Sequence, residues 1–495
     1  ESGGGVMVAE SDELDRRVRE LLHRHAAVGF AVAVVRGGET VWFRGHGVAD
    51  IGAGVAITED TVFRIGSLTK TFTAIAVLQL VEQGEVDLDG PARDYLRAYR
   101  LVGARPAHRA PTVRQLLTHT AGLPELLTPT RVLAPVLGET VAHGRAIPTL
   151  AEFYGGALRL VTEPGTCHTY SNHGFATLGQ IVSDVSNQPL ARVLRERVFD
   201  PLGMDATDLV RSDHVRERLA IGYTLRANGP RPVADRDLVT AGAGAIYSSS
   251  RDMGRYAAAL LAGGANEHGS VLRPQTVASM FAPQYQPDPR IPGMGLAFFR
   301  HTLAGHPTVD HDGLMPGFSS QLMLAPDDGV GILAFTNGVR GGKQWLGTEV
   351  SELLRSLLGL APETIRGDLA HRPHTWGALC GWYEFPGALR DIQKWFITGA
   401  RVAVHRGGLT LRVISPIPAL SRHIPLWPED EKDPDVFRAD LTALGMGVTR
   451  VVFTRDPDAA ATALHLDAVP LSFHRRVPRP RAAAANRATP HPADH

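Results

Sequence analysis

Cysteine is scarce in this chain of 495 residues, which contains only two copies of it. Cys167 and Cys380 lie far apart in the sequence, so a disulfide framework is excluded and no zinc-ligand spacing is present. We therefore expect two buried free thiols. The sequence also has no His-Glu-x-x-His motif, and it predicts neither a metal centre nor a bound cofactor.

Net charge is also missing, because 51 Lys and Arg residues balance 51 Asp and Glu residues. The sequence thus gives no electrostatic reason to expect nucleic acid or an anionic membrane as a partner. The longest apolar run, Ile75–Val81, is too short to cross a bilayer, so we expect no transmembrane segment. The chain starts with Glu1 rather than Met, which leaves both secretion and a cytoplasmic location open, and the oligomeric state is equally open.

The first 360 residues combine strand patterns at both ends with helix patterns between them. The pattern predicts an amphipathic helix over 11–27, a hairpin of Phe30–Val35 and Thr40–Arg44 around Gly37-Gly38, and a helix from Ser67 to about Gln83 that Gly84 ends. Residues 85–240 are mixed helix and loop. Strands are predicted again at about 296–301, 319–325 and 329–336, before a helix at about Trp345–Leu358. This order predicts an α+β domain over 10–360, with one antiparallel sheet built from both ends and flanked by helices.

The composition changes near residue 361. Residues 361–376 lack periodicity and are interpreted as a linker. Short β-type runs then predict a small all-β barrel or sandwich over 377–474, with strands at Trp395–Thr398, Arg401–His405, Leu409–Ile414, Val448–Thr454 and Ala463–Leu466. The Arg-, Pro- and Ala-rich residues 475–495 are expected to be a disordered tail.

A Ser-x-x-Lys motif, Ser67-Leu68-Thr69-Lys70, stands at the start of an apolar helix. The spacing of three places both side chains on one helix face. A serine hydroxyl is a weak nucleophile until a neighbouring base takes its proton, and a buried lysine without charge is such a base. An isolated copy of this motif is usually a pair of solvated helix positions, so its meaning depends on what accompanies it.

Two further motifs follow in order. Tyr170-Ser171-Asn172 lies in a loop with Pro and Gly upstream and an apolar helix, Phe175–Val185, downstream. His311-Asp312-Gly313 stands at the start of the second strand region.

With these three motifs the sequence resembles the serine β-lactamase and penicillin-binding-protein-like hydrolases. That family includes class C β-lactamases, D-alanyl-D-alanine carboxypeptidases, D-aminopeptidases and related esterases. Its motifs are Ser-x-x-Lys, Tyr-x-Asn and Lys/His-x-Gly, and the last lies on a strand beside the nucleophile. The segments Leu116–Pro124, Pro201–Met204 and Ser248–Met253 are also similar to the family. The β-rich C-terminal part resembles the lipocalin-like domain of some members, through Gly381-Trp382-Tyr383, Phe437 and Val451-Val452-Phe453.

The resemblance implies roles for individual residues. Ser67 would form an acyl-enzyme with a small-molecule or peptide substrate, and Lys70 and Tyr170 would share the proton transfers. Which of the two is the base stays open at this point. Asn172, His311 and Gly313 would bind substrate, and Asn172 would hydrogen-bond the acyl side chain or orient Lys70. The backbone N–H groups of Ser67 and Leu314 would form the oxyanion hole.

The third motif departs from the β-lactamase pattern. His311 replaces lysine and would bind a substrate carboxylate only when protonated. Asp312, if it faces the site, would repel a substrate that ends in a free carboxylate. Asp312 therefore favours esters, amides or peptides with a blocked or distant C-terminus over the substrates of β-lactamases and carboxypeptidases.

Several alternatives stay open. The chain is a candidate β-lactamase or carboxypeptidase, a peptide-cyclising thioesterase of the penicillin-binding-protein type, or a non-catalytic scaffold. An α/β-hydrolase is rejected because Gly-x-Ser-x-Gly is absent around Ser67. We expect surface or hydrogen-bonding roles for His168, His173, His301 and His306, and a structural hydrogen bond for His119.

Overall fold

The computed structural model describes residues 2–340, 345–386, 395, 397–415, 421–442, 446–456 and 459–476, with side chains from residue 10 onward. Its helices are α1 (Ser2–Arg24), α2 (Thr69–Glu82), α3 (Val113–Leu117), α4 (Leu150–Phe153), α5 (Asn172–Ser186), α6 (Leu190–Leu194), α7 (Asp213–Arg216), α8 (Ala241–Gly244), α9 (Ser250–Leu261), α10 (Pro274–Phe281), α11 (Leu346–Leu357) and α12 (Trp376–Leu379). None of these helices is long and apolar enough to cross a bilayer.

The strands fall into two groups. Those before residue 340 are β1 (Gly29–Arg36), β2 (Glu39–Asp50), β3 (Val55–Ala56), β4 (Val62–Arg64), β5 (Arg100–Val102), β6 (Thr140–Ala142), β7 (Ala157–Arg159), β8 (Tyr223–Arg226), β9 (Gly229–Pro232), β10 (Arg236–Leu238), β11 (Tyr247–Ser249), β12 (Phe299–Leu303), β13 (His306–Met315), β14 (Phe318–Ala325), β15 (Val330–Thr336) and β16 (Gly338–Val339). Those after residue 380 are β17 (Gly381–Glu384), β18 (Gly399–His405), β19 (Gly408–Ile414), β20 (His423–Pro425), β21 (Trp427–Pro428), β22 (Val436–Asp440), β23 (Val448–Thr454), β24 (Ala463–Leu466) and β25 (Ser472–Arg475).

The main sheet has seven strands in the order β12-β13-β14-β15-β1-β2-β3, and all its pairings are antiparallel. The first and last strands of this sheet in chain order meet near its centre, where Phe30 of β1 pairs with Thr336 of β15. The predicted antiparallel sheet, built from both ends and flanked by helices, is confirmed.

Both faces of this sheet are covered. Alternate residues of β1 point to opposite sides, so Phe30 packs in the layer of α1 and α11 while Ala31 faces the larger helical layer that contains α2. The continuous apolar run of β1 follows from this burial on both faces.

Helix α2 runs through the centre of the helical layer, where every residue from Thr69 to Leu80 is buried. A 3₁₀ turn, Gly66–Leu68, precedes it, so Ser67 lies just before the α-helix rather than in it. Gly84 has the left-handed φ of +76° and its N–H donates to the Val81 carbonyl, as expected for a residue that ends a helix.

Strand β13 was not predicted as a separate element. Pro307, Asp310, Asp312 and Gly313 interrupt any β-type run in its sequence. Its neighbours in the sheet determine the extended conformation instead. Pairing with β12 stops at Asp310, so His311–Met315 pair only with β14 among the described strands.

The C-terminal sheet has nine strands in the order β20-β19-β18-β17-β25-β24-β23-β22-β21, which form a nearly closed antiparallel barrel. The predicted all-β, lipocalin-like region is thus confirmed as a barrel-like fold. The predicted strand at Trp395–Thr398 lies partly outside the described residues, and strand structure begins at Gly399. Strand β25 continues through Arg475, one residue into the predicted tail, and residues 477–495 lie outside the described residues.

One loop of the first region docks on the barrel. Ile291 packs against Val436 and Val452. The Arg290 guanidinium donates to the Phe453 carbonyl at 2.9 Å and to the Asp433 carboxylate at 3.0 Å. The barrel is therefore held against the first region by both apolar and charged contacts.

Candidate active site

The backbone around Ser67 packs so closely against β13 that two positions at the contact, Gly66 and Gly313, have no room for a side chain. Gly66 has a left-handed φ of +53°, and a Cβ there would lie 2.7 Å from the Leu314 backbone nitrogen. A Cβ on Gly313 would lie 1.9 Å from the Ile65 carbonyl oxygen. This close approach brings the Ser67 turn next to the backbone of Gly313 and Leu314.

Lys70 lies one turn further along, and its side chain is completely buried. Its Nζ is 2.8 Å from Ser67 Oγ, 2.9 Å from Asn172 Oδ1 and 2.8 Å from the carbonyl oxygen of Ala243 in α8. Burial lowers the pKa of Lys70 to about 7, although nearby carboxylates, Glu139 first among them, oppose this. A substantial fraction of the amine is thus uncharged at neutral pH.

The two other partners of Lys70 direct its lone pair. A neutral amine has two N–H bonds and one lone pair. Asn172 Oδ1 and the Ala243 carbonyl can only accept hydrogen bonds, so they take both N–H bonds. The lone pair then faces the Ser67 hydroxyl, which is the geometry a general base needs.

Tyr170 lies beside this pair, with its ring centre 4.8 Å from Lys70 Nζ. Its hydroxyl hydrogen-bonds to Ser67, but burial and the charge of Asp312 raise its pKa well above the usual value. His119 packs on the ring at 4.3 Å, and its Nδ1 accepts from the Ser171 N–H at 3.1 Å. The expected structural hydrogen bond of His119 is therefore present, and Tyr170 stays a neutral phenol.

His311 and Asp312 lie on the β13 side of the site. Burial lowers the pKa of His311 to about 4, so its ring is neutral near pH 7. Its Nδ1 is 2.6 Å from the Asp312 carbonyl oxygen. Burial and the neighbouring Asp310 raise the pKa of the Asp312 carboxyl to about 6, which leaves it mostly ionised at neutral pH.

Three residues of the site were missed by the sequence analysis. Glu139 is 1% exposed and accepts hydrogen bonds from Asn172 Nδ2 at 3.2 Å and from the Thr240 hydroxyl at 2.6 Å. The third is Ala243, which contributes its backbone carbonyl. None of them belongs to a motif or a periodic segment, so no signal in the sequence marked them.

The other predicted histidines differ in their surroundings. His306 hydrogen-bonds to Asp328 and His301 pairs with Asp310, as expected. His173 is buried and hydrogen-bonds to the Tyr154 hydroxyl at 3.0 Å. The expectation for His168 is wrong, because its ring is buried and neither nitrogen has a hydrogen-bond partner among the described residues.

The described residues contain no cluster of three or more His, Cys, Asp or Glu side chains that could hold a metal ion. Cys167 and Cys380 are free thiols, the first buried and the second partly buried.

Comparison with known proteins agrees with this arrangement. The model of the beta-lactamase family matches residues 14–353. The chain is 30% identical over 385 residues to penicillin-binding protein 4 of Amycolatopsis lactamdurans, which covers 75% of this chain and 97% of that protein. It is 33% identical over 271 residues to esterase EstB of Burkholderia gladioli, which covers 52% of this chain and 66% of the esterase.

A solved structure extends the likeness to the barrel. The octameric penicillin-binding protein homologue from Pyrococcus abyssi has a TM-score of 0.60 and 22% identity, and it covers 93% of this chain and 99% of its own. At this identity the likeness shows the fold alone. Together with the family match, these findings show that the chain belongs to the beta-lactamase family and is a serine hydrolase of that family.

Proposed function

We propose that the protein hydrolyses ester or amide substrates without a nearby free carboxylate, including D-amino-acid peptides with a blocked or distant C-terminus, through an acyl-enzyme on Ser67. The observation that carries this proposal is the set of three contacts of Lys70, which directs its lone pair at Ser67 Oγ. Lys70 would take the hydroxyl proton while Oγ attacks the substrate carbonyl carbon. The oxyanion would be bound by the backbone N–H groups of Ser67 and Leu314.

The pKa directions support separate tasks for the two candidate bases. Tyr170 has a raised pKa and would keep its proton, whereas Lys70 has a pKa of about 7 and would be the base. The leaving alcohol or amine then takes the proton from Lys70, with the Tyr170 hydroxyl as the hydrogen-bond donor beside Ser67. Water would deacylate the enzyme by the same proton path in reverse, and Asn172, His311 and Gly313 would line the acyl group.

The charges around the site favour neutral substrates. Asp312 is mostly ionised near neutrality, and His311 is uncharged because burial lowers its pKa to about 4. A substrate carboxylate would thus be repelled by Asp312 and would find no positive charge on His311. This disfavours the β-lactamase and D-alanyl-D-alanine carboxypeptidase alternatives.

The first experiment measures covalent labelling and turnover together. A fluorophosphonate should add one adduct to the wild-type protein and none to the Ser67→Ala variant by intact mass spectrometry. A p-nitrophenyl ester should be hydrolysed much faster than benzylpenicillin. The Asp312→Ser variant should show a smaller difference between the two turnover rates. Absence of a Ser67-dependent adduct would favour the scaffold alternative, and fast penicillin turnover by the wild type would overturn the substrate assignment.

Acyl transfer and peptide cyclisation use the same acyl-enzyme with a different acceptor. Ester turnover in the presence of an added amine separates these outcomes, because an amide product appears only when the amine competes with water. We expect the free acid as the main product.

A further inference from the structure

Glu139 is a buried carboxylate that the proposed mechanism does not use directly. It follows the 3₁₀ turn Pro135–Gly138, and its backbone carbonyl accepts from the Val239 N–H at 2.7 Å. This bond and the pairing of β6 with β10 hold its side chain beneath the site. Burying a carboxylate without compensation is costly, so its partners indicate what the charge does.

A chain of hydrogen bonds runs from Glu139 through Asn172 and Lys70 to the nucleophile. An ionised carboxylate can only accept hydrogen bonds, and Asn172 Nδ2 lies 3.2 Å and 3.4 Å from its two oxygens. The Asn172 amide nitrogen therefore points to Glu139, and Oδ1 must point to Lys70, as it does at 2.9 Å. If the amide were reversed, Lys70 would face an NH₂ group and lose one of its two obligate acceptors.

We propose that Glu139 is a positioning residue for the acylation step, which fixes the amide of Asn172 and so directs the lone pair of Lys70 toward Ser67. This inference rests on the proposed function, because it assumes that Lys70 is the base for acylation.

The charge of Glu139 also acts on Lys70. Glu139 is the largest of the charges that raise the pKa of Lys70 against the effect of burial, and burial raises the pKa of Glu139 itself to about 7. Two ionisable groups that are close in pKa and attract each other titrate as a coupled pair. Removal of the carboxylate charge should then lower the pKa of Lys70.

The other groups around Glu139 come from several elements that pack against it. His173 on α5 has a pKa of about 3 and Tyr154 after α4 has a raised pKa, so both are neutral at pH 7. Thr240 is a neutral donor. Arg131 also acts on Glu139, and its positive charge lowers the pKa of the carboxyl.

The test is the pH profile of kcat/KM for a p-nitrophenyl ester with Glu139→Gln. The glutamine keeps the volume but can offer its own NH₂ to Asn172, which permits the reversed amide. We expect kcat at the plateau to fall about 10- to 100-fold with KM nearly unchanged. We also expect the acid limb to move about one unit to lower pH, because Lys70 loses an attractive charge.

Two further variants keep the test decisive. Thr240→Val removes the hydroxyl that donates to Glu139 without removing the carboxylate. It should move the acid limb of the pH profile to lower pH by less than Glu139→Gln does. This variant still tests the inference if Glu139→Gln does not fold. Asp252→Asn is the matched control, because Asp252 is also a buried carboxylate that accepts from a threonine hydroxyl, Thr207 at 2.7 Å. Asp252→Asn should leave the acid limb of the kcat/KM profile at the wild-type pH.

The outcomes separate this inference from the proposed function. If the wild type forms no Ser67 adduct, the proposed function itself fails. If the wild type is acylated but folded Glu139→Gln keeps its plateau or its acid limb, the positioning role of Glu139 is overturned.

Discussion

The regions built on the two large β-sheets of this protein differ in how much charge they bury. The region built on the seven-stranded sheet buries Lys70, Glu139, Arg64 and Asp252, each with 3% exposure or less. Among the described residues of the barrel, from Gly381 onward, no Lys, Arg, Asp or Glu is buried, and the interior is aliphatic and aromatic. Both sheets are antiparallel, so strand arrangement alone does not account for the difference.

This contrast indicates that the first region accepts the free-energy cost of buried charge, part of it at the site of the proposed reaction. A buried charge costs free energy unless it is paired, and an apolar core of the same volume is often at least as stable. The barrel has that kind of core. In the first region two of the buried charges lie at the candidate site, where Lys70 contacts Ser67 and Asn172 and Glu139 lies behind them.

The largest expected effect comes from removing the central charge. Lys70→Met should reduce the rate of ester hydrolysis by about 10³-fold or more, because a thioether cannot take the Ser67 proton. The measurement is the initial release of p-nitrophenol.

The same variant should change how stability depends on pH. Lys70 has a pKa of about 7 when folded and the usual 10.5 when unfolded. Between these values the unfolded chain binds a proton that the folded chain does not, so wild-type stability should rise with pH over this window. Denaturant unfolding of Lys70→Met should lack that rise, and an equal rise in both proteins would contradict a deprotonated Lys70.

A smaller effect is expected from filling the contact between Ser67 and β13. Gly313→Ala places a Cβ where the Ile65 carbonyl oxygen already lies. We expect about 1–3 kcal/mol lower stability and about 100-fold lower activity, because the nucleophile moves away from the strand. Thermal unfolding and ester turnover measure the two effects.

The matched control for Gly313 is a barrel-side glycine with room around it. Gly377 on α12 has no atom within 4 Å of an added Cβ. Gly377→Ala should keep full activity and gain a little stability from helix propensity. A similar loss in both variants would show that the tight contact at Gly313 has no special importance.

The smallest effect on activity is expected from loosening the barrel. Arg290→Ala removes the bonds to Asp433 and to the Phe453 carbonyl. We expect kcat/KM to stay within about threefold of wild type, while calorimetry shows the barrel unfolding earlier than the rest.

A loss of activity above about tenfold in Arg290→Ala would show that the barrel supports the site. Tyr285 offers the route, because it hydrogen-bonds to Ser472 of the barrel and its ring stacks 6.4 Å from His168. Arg401→Ala, on an exposed part of the barrel, is the control and should change neither property.

The sequence alone predicted those site residues that stand close together in the chain and form a recognisable motif. Ser67 and Lys70 are one helix turn apart, and Tyr170 and Asn172 are two residues apart, so each pair is visible without knowledge of the fold. Hairpins and long helices were predicted for the same reason, since their contacts are local.

Glu139 and Thr240 were missed for the opposite reason, and β13 was implied by the family resemblance but not by its own residue pattern. Glu139 lies 33 residues from Asn172 and Thr240 lies 101 residues from Glu139, so only the complete fold brings them together. β13 has a sequence typical of loops and is extended because β14 pairs along its length. His168 was misjudged because burial is set by packing partners that the sequence does not reveal.

The pairing of β1 with β15 has a consequence for synthesis on the ribosome. The centre of the sheet cannot form until Thr336 has been synthesised, because Phe30 pairs with it. At ordinary rates of translation this delay is about 15–60 s. During that time an apolar strand has one unpaired edge, which is the situation that promotes aggregation of nascent chains. Expression yield should therefore depend on chaperone supply and growth temperature more than the stability of the finished protein would suggest.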